Sequence, residues 1–190
     1  TKARKQAALR FEQDVCEQLT FMDMPHVKLA VSIEPTALTA IGGDKVEFLI
    51  SSNPGEPPKS IAKTASGGEL SRTMLAIKSV LADADDIDTL VYDEIDAGVS
   101  GKTARKLGIE LMRSARGTQV LCVTHSAQIA SLADTHFLIA KKDVNGVTET
   151  GIHPLDQEGR IGEISRILGG IEVTDAQKNA AIDMIERKEI

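Results

Sequence analysis

From Gly67 to Leu132 the chain alternates between helical and strand-like hydrophobic periods, and this alternation restricts the possible fold more than any other feature. The pattern predicts a helix over 67–81, a strand over 89–92, a helix over 102–113, a strand over 119–123 and a helix over 126–132. Such an order implies parallel strands joined by helical crossovers. The expected fold is therefore α/β, a mostly parallel sheet with flanking helices and a ligand crevice at the strands' carboxyl ends. Three short motifs fall at that edge. Ser66-Gly67-Gly68-Glu69 opens the first helix, Asp93-Glu94 closes the strand Leu90-Val91-Tyr92, and Thr124-His125 closes the strand Val120-Leu121-Cys122-Val123.

Ser66 and Glu69 have the spacing of a capping box, and Leu70, Met74, Ile77 and Leu81 form an apolar stripe, so ordinary helix chemistry accounts for them. It does not account for the glycines. Each forfeits up to about 1 kcal/mol relative to alanine, a cost that makes sense where bare backbone must approach a ligand. The Ser66 hydroxyl, free N–H groups and the positive end of the helix dipole together suit a terminal phosphate. Successive strand side chains point to opposite faces, so Asp93 and Glu94 are expected to divide the work. Asp93 would hold Mg²⁺ through a water, and Glu94 would orient and deprotonate an attacking water. If the strands are neighbours, His125 reaches the crevice of Glu94 and can donate to a γ-phosphate. Taken singly, these motifs also fit a plain cap, turn acids and a loop histidine. Their joint occurrence favours part of an ATPase.

Such chemistry needs a G-x-x-x-x-G-K-[ST] phosphate loop, and none precedes the motifs. Ser100-Gly101-Lys102-Thr103 imitates its end, but Asp96 stands where the first glycine belongs, and Asp93, Glu94 and Asp96 would crowd a triphosphate. The chain is expected to be the C-terminal half of a split nucleotide-binding domain. The lack of an initiating Met fits a longer parent.

Residues 2–22 lack Pro and Gly, and Leu9, Val15, Leu19 and Met22 make a weak stripe that suits either a surface helix or the last turns of a coiled coil. Stretches 27–34 and 45–51, connected through Gly42-Gly43-Asp44, predict a hairpin, and the three prolines of 53–58 a loop. Stretches 136–142 and 147–153 flank the hairpin signal Asn145-Gly146, and helices over 160–168 and 175–187 close the chain. A net charge of -6, no Trp and a single Tyr exclude a broad basic nucleic-acid face or a base-stacking platform, which puts DNA contact elsewhere in the parent. Lys2, Arg4, Lys5 and Arg10 read as a solvated helix face. Cys16 and Cys122 suggest no disulfide framework, and with His26, His136 and His153 show no metal-ligand spacing. No apolar run is long enough to span a bilayer and the start lacks a signal peptide, so the expected location is cytoplasmic, with no membrane partner.

The strings Lys63-Thr64-Ala65-Ser66-Gly67-Gly68-Glu69-Leu70-Ser71-Arg72, Val91-Tyr92-Asp93-Glu94-Ile95-Asp96-Ala97-Gly98-Val99-Ser100-Gly101 and Val123-Thr124-His125 resemble the ATP-binding-cassette superfamily. With Phe48–Glu56 ahead and Ala133–Phe137 behind, the middle string is similar to the bacterial RecN DNA-repair family, from about Met24 to Gly170. That resemblance implies a head built like those of structural-maintenance-of-chromosomes (SMC) proteins, split into two lobes by a long coiled coil. Residues 1–24 would be the end of the coiled-coil arm and residues 25–190 the C-terminal lobe, with the phosphate loop on an N-terminal lobe outside this sequence.

The resemblance also implies ATP and Mg²⁺. Ser66, Gly67, Gly68 and Glu69 would belong to a signature motif that meets the γ-phosphate of ATP bound on a second head. Asp93 would be the magnesium-linked acid, Glu94 the catalytic base, Asp96 part of the loop crossing the dimer interface, and His125 the switch histidine. The implied partners are the N-terminal lobe, a second head and, through the full-length protein, DNA near double-strand breaks; the implied location is nucleoid-associated. A transport-type cassette lobe is the alternative, disfavoured because Ile95-Asp96-Ala97-Gly98 departs from the Pro-Thr-Ser pattern usual in transporters. An inactive structural fragment is the other.

Overall fold

The computed structural model describes residues 1–63, 67–82, 87–144, 146–170 and 172–187. They form a mixed α/β chain that divides into two compact units, Thr1–Gly98 with Arg113–Val123, and Val99–Met112 with Thr124–Ile190.

In the first unit the residues free of glycine and proline form α1 (Lys2–Phe21). A Schellman motif ends it, with Met24 N–H donating to Leu19 O (2.9 Å) and Asp23 N–H to Thr20 O (3.1 Å). Asp23 takes the left-handed conformation this requires, at φ 60°, which a short polar side chain tolerates. Val15, Leu19 and Met22 are fully buried while Leu9 is 70% exposed, so the core stripe lies in the C-terminal half of α1. That half packs on α2 (Gly67–Leu81) and β1 (Lys28–Thr39). β1 pairs antiparallel with β2 (Gly42–Ser51), and β2 with the short β3 (Lys59–Ser60). The hairpin is longer than its pattern predicted and turns at Ala40-Ile41, not through Gly42-Gly43-Asp44. Asp44 serves a different end, accepting from Arg4 Nη1 (2.7 Å) and so tying the hairpin to α1.

β4 (Thr89–Asp93) and β5 (Gln119–Val123) pair in parallel, in register from Thr89 opposite Gln119 to Asp93 opposite Val123. The connection between them runs through α3 (Gly101–Ser114), the crossover that parallel pairing demands. Tyr92 is buried and Leu90, Val120 and Cys122 are half-buried on one face of this pair. On the opposite face Val91, Leu121 and Val123 are 67%, 48% and 49% exposed. Parallel sheets ordinarily bury both faces, so this one presents an apolar side in need of cover.

In the second unit Gly108 of α3 brings that helix against α4 (Ala127–Ala130): a Cβ there would lie 2.7 Å from Leu132 Cδ1 and 3.3 Å from Gln128 O. β6 (Phe137–Val144) and β7 (Val147–Pro154) form an antiparallel hairpin. Gly146 has φ 80° at its turn; Asn145 lies outside the described residues. Asp156 caps α5 (Gln157–Gly169) by accepting from Gly159 N–H (2.8 Å), and a Thr174/Gln177 capping box opens α6 (Asp175–Glu186). Ile164, Ala181 and Ile185 of these two helices close on Ala127.

The expectation of a mostly parallel sheet is corrected here. Among the described residues β4 and β5 are the one parallel pair, and the remaining strands lie in antiparallel sheets. Two-residue connections join β1 to β2 and β6 to β7, and a chain that reverses so tightly can pair only antiparallel. The helix predicted over 126–132 shortens to a single turn.

Candidate functional site

Ser66, with Thr64 and Ala65, lies outside the described residues, and so does the capping box expected between Ser66 and Glu69. The two glycines that follow have unlike surroundings. A Cβ on Gly67 would meet nothing within 4 Å, whereas one on Gly68 would lie 2.9 Å from Ala97 O and 3.1 Å from Ala97 Cβ and Arg72 Nη1. Gly68 is thus demanded by a close approach inside the chain's own fold, whereas the space beside Gly67 is open. The buried face of α2 follows from the same contact. It carries Arg72, Thr73, Leu75, Ala76 and Ile77, while Met74 of the expected stripe is 36% exposed. Gly68, Arg72 and Ala76 recur every four residues and so share one side of the helix.

The acid pair stands where β4 ends. Asp93 and Glu94 are exposed, and the turn after them closes with Ala97 N–H donating to Glu94 O (3.0 Å). Glu94 has φ 53°. Left-handed backbone is uncommon for a residue with a Cβ, costs roughly 1–3 kcal/mol and concentrates at functional sites. Ile95 is fully buried and Asp96 is 1% exposed, so the Asp96 side chain points inward, not to a surface.

Arg72, itself buried, reaches this turn. Its Nη1 donates to Ala97 O (3.0 Å) and Ile95 O (3.4 Å), and its Nε to Met24 Sδ (3.4 Å) just beyond α1. Burial pushes the guanidinium pKa down from its usual value, against the opposing Glu69 carboxylate. Sequence alone does not single out Arg72 beyond its place in the 63–72 string, since an arginine in an amphipathic helix ordinarily faces solvent. Its spacing of four residues from Gly68 was the available signal.

The carboxyl ends of β4 and β5 carry a negative field. Burial, then the charges of Asp96 and Asp93, push the Cys122 thiol up to about 12, which leaves it protonated and unreactive. No group of three or more metal-binding side chains occurs among the described residues. An exposed carboxylate at a negative edge nevertheless fits Mg²⁺, which is commonly held by one or two carboxylates with phosphates and waters.

His125 belongs to the second unit, exposed, in a turn where Ser126 N–H donates to Thr124 Oγ1 (3.0 Å) ahead of α4. The first unit holds Gly67, Gly68, Glu69, Asp93, Glu94 and Asp96, with Gly68 directly against the turn that carries Glu94 and Asp96.

Comparison with known proteins supplies the family. The chain is 46% identical over 157 residues to the DNA repair protein RecN of Bacillus subtilis, a match covering 83% of this chain. It is 38% identical over 191 residues to RecN of Halalkalibacterium halodurans, covering 98% of this chain. The chain belongs to the RecN family. It spans only part of those two RecN proteins, 27% and 34% of their lengths. A solved structure from work on ATP-driven dimerization and DNA-stimulated activation of SMC ATPases matches with a TM-score of 0.53 at 18% identity, over 90% of this chain and 99% of that one. The chain thus takes the fold of that structure. No protein-family model matches the chain.

Proposed function

We propose that this chain is the C-terminal lobe of the head of an SMC-like ATPase acting in repair and recombination at DNA double-strand breaks, with ATP hydrolysed where two heads meet. The observation that carries the reading is Glu94, held in left-handed backbone at the end of β4, on a turn packed against the glycine start of α2. Left-handed strain maintained at an exposed acid has a use if that acid is the general base.

In this reading Glu94 accepts a proton from water as the water oxygen attacks the γ-phosphorus and ADP departs. Asp93 would hold Mg²⁺, and the ion would supply neutralising charge at the phosphates. Gly67, Gly68 and Glu69, with Ser66, present the start of α2 to the γ-phosphate of ATP on the opposite head. Asp96 lies in the segment that runs toward the second head, its carboxylate turned inward to hold that segment's shape. His125 is the switch histidine, which donates to the γ-phosphate.

The apolar side of β4–β5 formed by Val91, Leu121 and Val123 supports a docked N-terminal lobe carrying the phosphate loop. Residues 1–24 are the end of the coiled-coil arm, and DNA is held by other parts of the full-length protein, in keeping with a net charge of -6. The RecN relatives favour this reading over a transport-type cassette lobe. A cytoplasmic, nucleoid-associated location agrees with those DNA-repair relatives, and no helix among the described residues is long and apolar enough to cross a membrane.

Phosphate-release assays on this chain, with and without separately purified N-terminal lobe, test the proposal. The chain alone is expected to be inactive and the mixture active. Sustained turnover by the chain alone would overturn the two-lobe reading and return attention to Gly101-Lys102-Thr103.

A further inference from the structure

A left-handed glutamate persists only if its surroundings overdetermine it, and the structure shows what surrounds Glu94. Its turn is closed by a hydrogen bond from Ala97 N–H back to Glu94 O. The carbonyls of Ile95 and Ala97 both accept from Arg72 Nη1, at 3.4 and 3.0 Å. Gly68, one helical turn earlier on α2, presses against the same Ala97 carbonyl, where even a methyl group would collide. The third contact of Arg72, Nε to Met24 Sδ, anchors the guanidinium from the side of α1. Nη1 meets both carbonyls while Nε, fixed in the same plane, reaches Met24, a division of contacts that a single flexible ammonium cannot make.

We infer that Arg72 is a positioning residue for hydrolysis: by clamping the Ile95 and Ala97 carbonyls to α2 it fixes the backbone that aims Glu94, and it joins the helix facing the γ-phosphate to the turn bearing the base. The inference rests on the proposed role of Glu94. Arg72 touches neither ATP nor water in this scheme. Its loss therefore misplaces the base without removing it, and misplacement by about 1 Å is enough to cost on the order of 100-fold in rate. Nucleotide affinity, which belongs to the phosphate loop, stays.

The test uses the full-length protein with Arg72→Met, which keeps the long apolar stem and deletes the donors, and Arg72→Lys, which keeps charge and part of the donation. Steady-state kcat and KM for ATP are measured with melting temperatures, and Glu94→Gln serves as reference. Arg72→Met is expected to lower kcat by about 10- to 100-fold while KM stays within about threefold, with Arg72→Lys recovering a part of the loss. A kcat within about twofold of wild type for Arg72→Met overturns the inference, as does an equal loss in both variants that tracks a fall in melting temperature, because that pattern marks support of the fold alone. Should Arg72→Met not fold, Arg72→Lys decides: a kcat lowered by about threefold or more at unchanged KM supports the clamp, and wild-type kcat rejects it. If Glu94→Gln itself hydrolyses ATP normally, the assignment of the base has failed, which is a different result from Arg72→Met alone being normal.

Discussion

Gly67 and Gly68 are neighbours with the same side chain, yet a methyl group added to each is expected to have opposite effects. Gly68→Ala drives a Cβ to within 2.9 Å of a backbone carbonyl and should destabilise the first unit by about 1–3 kcal/mol, read by denaturant unfolding. Gly67→Ala enters open space and should leave stability unchanged or raise it by up to about 1 kcal/mol, while lowering ATP turnover in the full-length protein by crowding the phosphate. Loss of stability at Gly67 with full activity would contradict the separate roles. Another residue carries a pH dependence. His136 is half-buried, its Nδ1 without a hydrogen-bond partner among the described residues, and burial first and Arg160 second hold its pKa below 6.5, with Glu163 opposing. The unfolded chain takes up this proton at a higher pH than the folded one, so stability that is fully present above about pH 6.5 should fall as the pH drops below it, until the native value is passed. Unfolding measured from about pH 7.5 to about pH 5 should show that loss in the wild type and a smaller one in His136→Leu. Equal slopes would remove His136 from the explanation.

Among the elements, the β4–β5 pair is the one whose surface calls for a partner. Val91, Leu121 and Val123 changed together to Thr keep strand propensity but make the open face polar. The variant should remain folded, self-associate less in sedimentation, and bind the N-terminal lobe at least about tenfold more weakly, equivalent to 1.4 kcal/mol; unchanged affinity would mean that this face is not where the lobe docks. The positions of α2, β4 and β5 were legible because each depends on a local hydrophobic period, and the observed bounds of all three agree with that period to within a residue. Both antiparallel hairpins were legible as well, but the extent of the parallel sheet was not, since no local period records how many strands pair side by side. The buried side of α2 was misjudged for a related reason. Its apolar stripe named Met74, but the helix is oriented by Gly68 and Arg72 against a turn distant in sequence. The order of the motifs singled out Glu94 as a candidate base, while no hydrophobic period records that one backbone torsion there is left-handed.

At the scale of the whole molecule, this acidic chain spans 27% and 34% of the two RecN relatives, and in the proposed reading it provides one side of a reaction whose phosphate loop and DNA contacts lie in other parts of the parent. In the proposed scheme ATP binding engages two heads and hydrolysis parts them, so the chemistry of one carboxylate decides how long the full-length clamp stays closed. The most direct measurement is ATP hydrolysis by the full-length protein carrying Glu94→Gln, followed together with the size of the complex in the presence of ATP. The account predicts turnover reduced by about 100-fold or more, with nucleotide still bound and the paired form persisting. Turnover within about twofold of wild type would contradict it.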